Sequence, residues 1–178
     1  EARKTLPDLK LLIVVPTIPL SDQWSIESKE LLELDEGDLS IHGGGNTGEV
    51  DSSVHIAVIN TARNIVNDLT SSGDWMLIVD ECHRAGSEEN RKVLYGNFYA
   101  SLGLSATPER QYDDWFEEVI EPALGPIIFE YSYADALRDG VLSPFSLHNY
   151  EIPLTGEEIE KLQKTETAIA IKLSNGYD

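Results

Sequence analysis

The sequence predicts an α/β fold, a mostly parallel sheet with helices on both of its faces. Short apolar runs alternate along the chain with segments of helical periodicity. The runs are bounded by turn residues, as strands buried on both faces are. Polar clusters stand where the runs end: Pro16 and Thr17, Asn60 and Thr61, Asp80 and Glu81, and Ser105, Ala106 and Thr107. Ligands of parallel sheets bind at those carboxyl ends.

Taken in order, residues 11–15 (LLIVV) read as a buried strand that Pro16 stops. A helix follows, with Ser21 or Asp22 as its cap, Ile26, Leu31 and Leu34 at helical spacing, and Gly37 as its end. Residues 42–48, with Gly43, Gly44, Gly45 and Gly48, read as a loop. Residues 54–59 form a second strand and 62–69 a short helix. A third strand spans 76–79, entered from a Ser-Ser-Gly-Asp turn. Residues 87–98 read as a helix with acidic Glu88 and Glu89 in its first turn. Residues 99–104 form a fourth strand, closed by Ser105, Ala106, Thr107 and Pro108. Residues 113–124 are amphipathic, with Trp115, Phe116, Val119 and Ile120 apolar. A fifth strand is expected at 127–131 and a helix at 133–139, ended by Gly140. After Ser143 and Pro144 the character changes. Residues 145–152 alternate as a strand does, and 155–173 read as a helix opened by a Thr155/Glu158 capping box.

A length of 178 residues supports one compact domain with a real core. One cysteine, Cys82, excludes a disulfide framework and points to a reducing, cytoplasmic setting. No apolar run has the ~18 residues of a membrane span, and residues 1–10 lack the apolar centre of a signal peptide. With Met76 its only methionine, the chain reads as cut from a longer one. Thirteen basic residues against 32 acidic ones give a net charge of −19, a field that repels phosphate backbones. Two explanations stay open: the solubility chemistry of a salt-rich host, or an acidic outer face with the nucleic-acid groove elsewhere. Nine acids against Arg110 and Arg138 over residues 109–139 make the charge at least partly regional.

The chemistry centres on Asp80 and Glu81. An apolar strand ending in two carboxylates sets charge at the sheet's rim, where a metal ion offsets the cost of partial burial. Adjacent residues point different ways, so one acid can hold Mg²⁺ while the other orients or deprotonates water. Asp80, Glu81, Cys82 and His83 (DECH) resemble motif II of the superfamily 2 DExH-box helicases, and Ser105, Ala106 and Thr107 (SAT) resemble their motif III. Residues 14–24 (VVPTIPLSDQW) resemble motif Ia. Residues 54–64 (VHIAVINTARN) resemble the later motif whose Thr contacts the nucleic-acid backbone. The stretch from LGLSATPER to GVLSPF is similar to the repair-helicase (xeroderma type B-like) and type III restriction-subunit branch. The resemblance spans about residues 11–155, in order.

The resemblance implies a RecA-like P-loop NTPase lobe over residues 1–144, with 145–178 a linker and the start of a second lobe or a C-terminal helix. It implies ATP and Mg²⁺ as cofactors, and DNA, or else RNA, as partner. Asp80 is implied as the Mg²⁺ ligand through water, Glu81 as the base, and His83 as the γ-phosphate sensor or its coupling to the nucleic acid. Ser105 and Thr107 are implied to link ATP state to interlobe contacts. Pro16, Thr17 and Thr61 are implied to hold the tracked strand, with Arg63, Gln23 and Trp24 less firmly placed.

The family's P-loop, Gly-x-x-x-x-Gly-Lys-Ser/Thr, is missing, because the sequence contains no Gly-Lys pair. The lobe is therefore expected to be truncated at its N-terminus, with the P-loop segment and the second lobe as partners. The missing P-loop strand is expected between the strands ending in Asp80 and in Ser105, leaving two buried edges unpaired without it.

Three other readings remain beside this one. An esterase is suggested by His42 before three glycines and by 103–107 (GLSAT), although Thr107 and Pro108 break the elbow pattern. A metal site could use Cys82 and His83 with His42 or His55, but adjacent ligands make poor zinc geometry. A non-catalytic interaction module derived from an ATPase lobe is the third.

Overall fold

The computed structural model describes residues 6–35, 37–49, 51–107 and 114–174. Pro108, Arg110 and Asp113, with the first five residues of the chain, lie outside them. The chain packs as two compact units, Glu1–Glu130 and Tyr131–Asp178, and each is described by itself.

The first unit is a six-stranded α/β sheet in the order β3-β2-β4-β1-β5-β6. Its strands are β1 (Lys10–Val15), β2 (Leu39–Gly43), β3 (Asn46–Thr47), β4 (Val54–Val58), β5 (Trp75–Asp80) and β6 (Ala100–Leu104). All pairs are parallel except β2 with β3. The central β1 pairs Val15 with Val58 of β4 and Val14 with Val79 of β5. Alternation then sorts its side chains between two cores. Leu11, Ile13 and Val15 join Val54, Ile56 and Val58 on one face, under Leu20 and Trp24 of α1 (Ile18–Leu32). Leu12 and Val14 join Ala57, Leu77 and Val79 on the other, under Ala62 and Val66 of α2 (Ile59–Leu69). Each aliphatic side chain so buried stabilises the fold by about 1.5–3 kcal/mol.

Several expectations are corrected. Helix α1 starts at Ile18 with Thr17 as its cap, not at Ser21 or Asp22, because Pro19 in the first turn needs no N–H partner. It ends at Glu33, which adopts φ 51° itself, before Gly37. Its sheet-facing stripe is Ser21, Ser25 and Ser28, whereas Ile26 and Leu31 are 61% and 80% exposed. Short serine side chains let the helix lie close to the strands. Residues 42–48 are a hairpin rather than a loop: His42 pairs with Thr47, and Gly44 and Gly45 turn the chain with positive φ.

Residues 87–98 form no α-helix; a 3₁₀ segment, Asn90–Tyr95, takes that place and buries Val93 and Leu94, following another at Cys82–Gly86. Within 113–124 the expected amphipathic segment is a π-turn (Phe116–Ile120) leading into α3 (Glu121–Leu124), with Ile120 buried. The expected strands at 127–131 and 145–152 have no ladder partner, and Ile128 and Phe129 are exposed. An apolar run becomes a strand only where an edge receives it.

The expected gap between the strands ending in Asp80 and Ser105 does not exist. β5 and β6 pair directly, from Met76 with Ala100 to Asp80 with Leu104. The open edge lies instead on the far side of β6, whose residues are only partly covered.

The second unit contains α4 (Tyr133–Arg138) and α5 (Gly156–Ser174). Ser132 and Asp135 form a capping box on α4. On α5 the expected box is present, Glu158 Oε2 accepting from the Thr155 N–H and hydroxyl at 2.8 Å each. Among the described residues no helix is long and apolar enough to cross a membrane.

Candidate active site

Because β1, β4, β5 and β6 run parallel, their carboxyl ends share one rim of the first unit. β5 delivers Asp80 there. Its Oδ2 accepts from the indole Nε1–H of Trp24 at 2.9 Å, and its Oδ1 from the Glu81 N–H at 3.0 Å. Hydrogen bonds to a charged acceptor contribute about 1.5–3 kcal/mol, so the carboxylate is held in place from two sides. Each oxygen keeps lone-pair capacity for a further partner.

Glu81 has φ 50° and ψ 50°, a left-handed conformation for a side chain with a Cβ. Such backbone costs about 1–3 kcal/mol and persists where the surroundings demand it. Here it ends β5 abruptly and starts the 3₁₀ turn Cys82–Gly86. The turn returns His83 towards the rim. His83 Nδ1 lies 2.9 Å from Ser105 Oγ, just past the end of β6, and 3.3 Å from Glu81 Oε2. Ser105 Oγ in turn accepts the Thr107 N–H at 3.1 Å. Asp80, Glu81, His83, Ser105 and Thr107 are thus one connected group, spanning the ends of two adjacent strands.

Of the other sequence-selected residues, Pro16, Thr17 and Thr61 sit just past the ends of β1 and β4, while Gln23, Trp24 and Arg63 lie further into the helices that follow. Pro16 and Thr17 follow β1. Thr17 is exposed, and its carbonyl accepts the Ser21 N–H at 3.1 Å. Thr61 lies in the first turn of α2, half-buried. Arg63 donates from Nη1 to Asn90 Oδ1 at 3.2 Å. Gln23 faces solvent, its amide donating to Glu27 at 2.9 Å. Trp24 packs on the sheet and also grips Asp80, so it is both a core residue and a part of the site. No local pattern links two residues 56 positions apart; the only available signal was that α1 follows the strand adjacent to β5.

Cys82 is buried, and burial raises its thiol's pKa, opposed by backbone bonds and reinforced by Glu81 and Asp80. It is held as a neutral thiol. His42 and His55 face each other, Nε2 to Nδ1 at 2.9 Å, inside the sheet. Among the described residues no group of three or more His, Cys, Asp or Glu is arranged to hold a metal ion. A Mg²⁺ site needs no such group, since that ion is commonly held by one or two carboxylates, waters and substrate phosphates.

Residues 1–110 match the family described as the type III restriction enzyme res subunit. The DNA 3'-5' translocase XPB2 of Sulfurisphaera tokodaii is 35% identical over 152 residues, 83% of this chain and 32% of that protein. The putative DNA 3'-5' helicase Rad25 of Haloarcula marismortui is 34% identical over 122 residues, 66% of this chain and 18% of that one. The chain therefore spans about a third or less of these relatives. Among solved structures, the helicase domain of Pyrococcus furiosus Hef aligns with 65% of this chain at a TM-score of 0.49 and 20% identity, over 27% of its own length. With its family match covering well over half of its length, the chain belongs to the type III restriction enzyme res-subunit family, in the XPB-like branch of the superfamily 2 helicases.

Proposed function

We propose that this chain is the part of an ATP-dependent DNA helicase or translocase that carries the metal and water half of the hydrolytic site. The carrying observation is the bridge from His83 to Ser105 at 2.9 Å, beside Asp80 and Glu81 at the rim. Asp80 fits a water-mediated Mg²⁺ site, being a single anchored carboxylate with free lone pairs at a strand end. Bound ATP with Mg²⁺ supplies the scissile phosphoanhydride and neutralises its charge. Glu81, its side chain 38% exposed, is reached by water and takes the attacking water's proton on its carboxylate. His83 reports the state of that carboxylate to Ser105 and, through Ser105, to the backbone at Thr107. Pro16, Thr17, Thr61 and Arg63 contact the tracked strand. The names of the relatives that are 34–35% identical support DNA as the polymer. A cytoplasmic location fits a chain whose one cysteine is a buried free thiol.

Phosphates also need a cradle, and the sequence has no Gly-Lys pair to form one. The 178-residue chain by itself is expected to bind ATP weakly and hydrolyse essentially none. Saturable micromolar binding of ATP, or magnesium-dependent turnover abolished by Glu81→Gln, would overturn that expectation. In a longer protein containing the chain, a P-loop and a second lobe, DNA-stimulated ATP hydrolysis is expected, and Glu81→Gln should abolish it. Absence of that hydrolysis would sink the helicase reading. The lack of a Gly-Lys pair equally favours a second reading, a non-catalytic interaction module, recognised by partner binding that is indifferent to nucleotide.

A further inference from the structure

A cleft of about 350 Å³ opens on the first unit where Pro16 follows β1 and Ile59 follows β4, in the size range of small-ligand sites. Its apolar walls are Pro16, Ile59 and Trp115, and its polar walls are Asn60, Arg84, Ser87 and Asn90. Only Pro16 belongs to the strand-contacting set selected from sequence.

The cleft presents an exposed cation. The chain carries 32 acidic residues against 13 basic ones. Lys92, Arg138 and Lys164 each pair with an acid. Arg84 does not, and neither do Lys10, Lys29, Arg91 and Lys161; the exposed Arg84 guanidinium is the one that lines the cleft, engaged by no hydrogen bond or ion pair among the described residues. Arg63 is tied to the neutral amide of Asn90, not to a carboxylate.

Asn90 organises this arrangement. Its Oδ1 accepts from Arg63 at 3.2 Å, while its Nδ2 donates to the Arg84 carbonyl at 3.1 Å. One side chain thereby fixes two arginine-bearing segments around the cleft and leaves most of their guanidinium donors unused. Helix α2 begins at the cleft wall with no side-chain cap and no acid in its first turn, which adds to the positive potential. Trp115 and Pro16 supply flat apolar surface on which a base or sugar can lie.

We propose that this cleft is a subsite for one nucleotide unit of single-stranded nucleic acid, its phosphate held by Arg84 and its base or sugar set against Trp115 and Pro16. Asn90 acts as a positioning residue. The inference rests on the nucleic-acid reading above and adds to it three residues, Arg84, Asn90 and Trp115.

The test uses the 178-residue chain and a fluorescein-labelled oligothymidylate of about twelve nucleotides, followed by anisotropy across a salt series. Arg84→Gln is expected to weaken binding by about tenfold and lower the salt slope by about 0.7, the loss of one single-strand phosphate contact. Since Arg84 is exposed and unpaired, the thermal midpoint should not change. An oligonucleotide carrying 4-thiothymine should photo-crosslink to the peptide containing Trp115 in the unaltered chain, and far less with Arg84→Gln.

The cleft assignment is overturned if binding depends on Thr17 and Arg63 while Arg84→Gln binds like the unaltered chain and crosslinks avoid Trp115. It is also overturned if thymidine monophosphate competes at the cleft as well as the oligonucleotide does, which would mark a mononucleotide site. No anisotropy change with the unaltered chain would remove the cleft together with the nucleic-acid reading, so the two failures are distinguishable.

Discussion

Acidification should reveal the cost of keeping His55 neutral. This imidazole is fully buried in β4, its Nε2–H donating to the Ser52 carbonyl at 2.8 Å and its Nδ1 facing His42 Nε2 at 2.9 Å. The ring also lies 5.1 Å from that of Trp75. Burial lowers its pKa from 6.5 to about 4; the Ser52 carbonyl opposes the shift, and His42 and Lys10 add to it. The folded-state pKa lies below the unfolded one, so on acidification the unfolded chain takes the proton first. The contribution to stability is complete above pH 6.5 and is lost as the pH falls towards 4. A shift of that size corresponds to about 3 kcal/mol in full, of which about 2 kcal/mol is lost by pH 5. Stopping at pH 5 keeps most carboxylate titration out of the window. Urea unfolding followed by tryptophan fluorescence suits the first unit, which holds Trp24, Trp75 and Trp115. A His55→Gln variant should start less stable and show a pH dependence flatter by about 2 kcal/mol between pH 7.5 and 5. Identical pH slopes in the two proteins, or an NMR titration of His55 centred near 6.5, would refute the reasoning.

Two further predictions concern the rim. Trp24→Phe keeps the packing against the sheet but removes the donor to Asp80; it should cost about 1–2 kcal/mol of stability. In a longer active protein it should raise the magnesium concentration needed for half-maximal ATPase several-fold, and an unchanged magnesium dependence would count against Trp24 as a positioning group. Glu81→Gly should relieve the left-handed strain, so that it melts at least as high as Glu81→Gln although both lack the carboxylate; a Gly variant melting well below the Gln variant would show that the conformation at φ 50° is not strained.

Much of the fold is legible in the sequence because its strands are buried on both faces. Residues 11–15 and 76–79 are unbroken apolar runs and 54–58 is interrupted only by the buried His55, and such runs have few alternatives to a parallel sheet. In helix α1 the expected Ile26 and Leu31 face outward, because the buried stripe is Ser21, Ser25 and Ser28 beside Leu20 and Trp24; Leu34, just past the helix, does pack on the core. A pattern search follows hydrophobicity, whereas helix-to-sheet distance follows size. The β2–β3 hairpin was missed since Gly43 to Gly45 suggest only a turn, and its anchor, the His42–His55 pair, is visible only in three dimensions. In the site, Asp80, Glu81 and His83 are close in sequence and Ser105 ends the next strand, so local patterns expose them. The grip of Trp24 on Asp80 and the link from Arg63 to Asn90 cross 56 and 27 positions. They depend on strand order, which the sequence misplaced by expecting a strand between β5 and β6.

The geometry of α1 has a mechanical consequence. Thr17 caps its start and Trp24 sits seven residues on, about 10 Å along the axis of an uninterrupted helix. A displacement applied at Thr17 therefore reaches the Asp80 carboxylate through a stiff rod with no joint in between. The underside of that rod carries Ser21, Ser25 and Ser28 beside Leu20 and Trp24, and the two larger side chains key it to the sheet. The helix thus couples the end of β1 to the carboxylate at the end of β5 as one rigid piece.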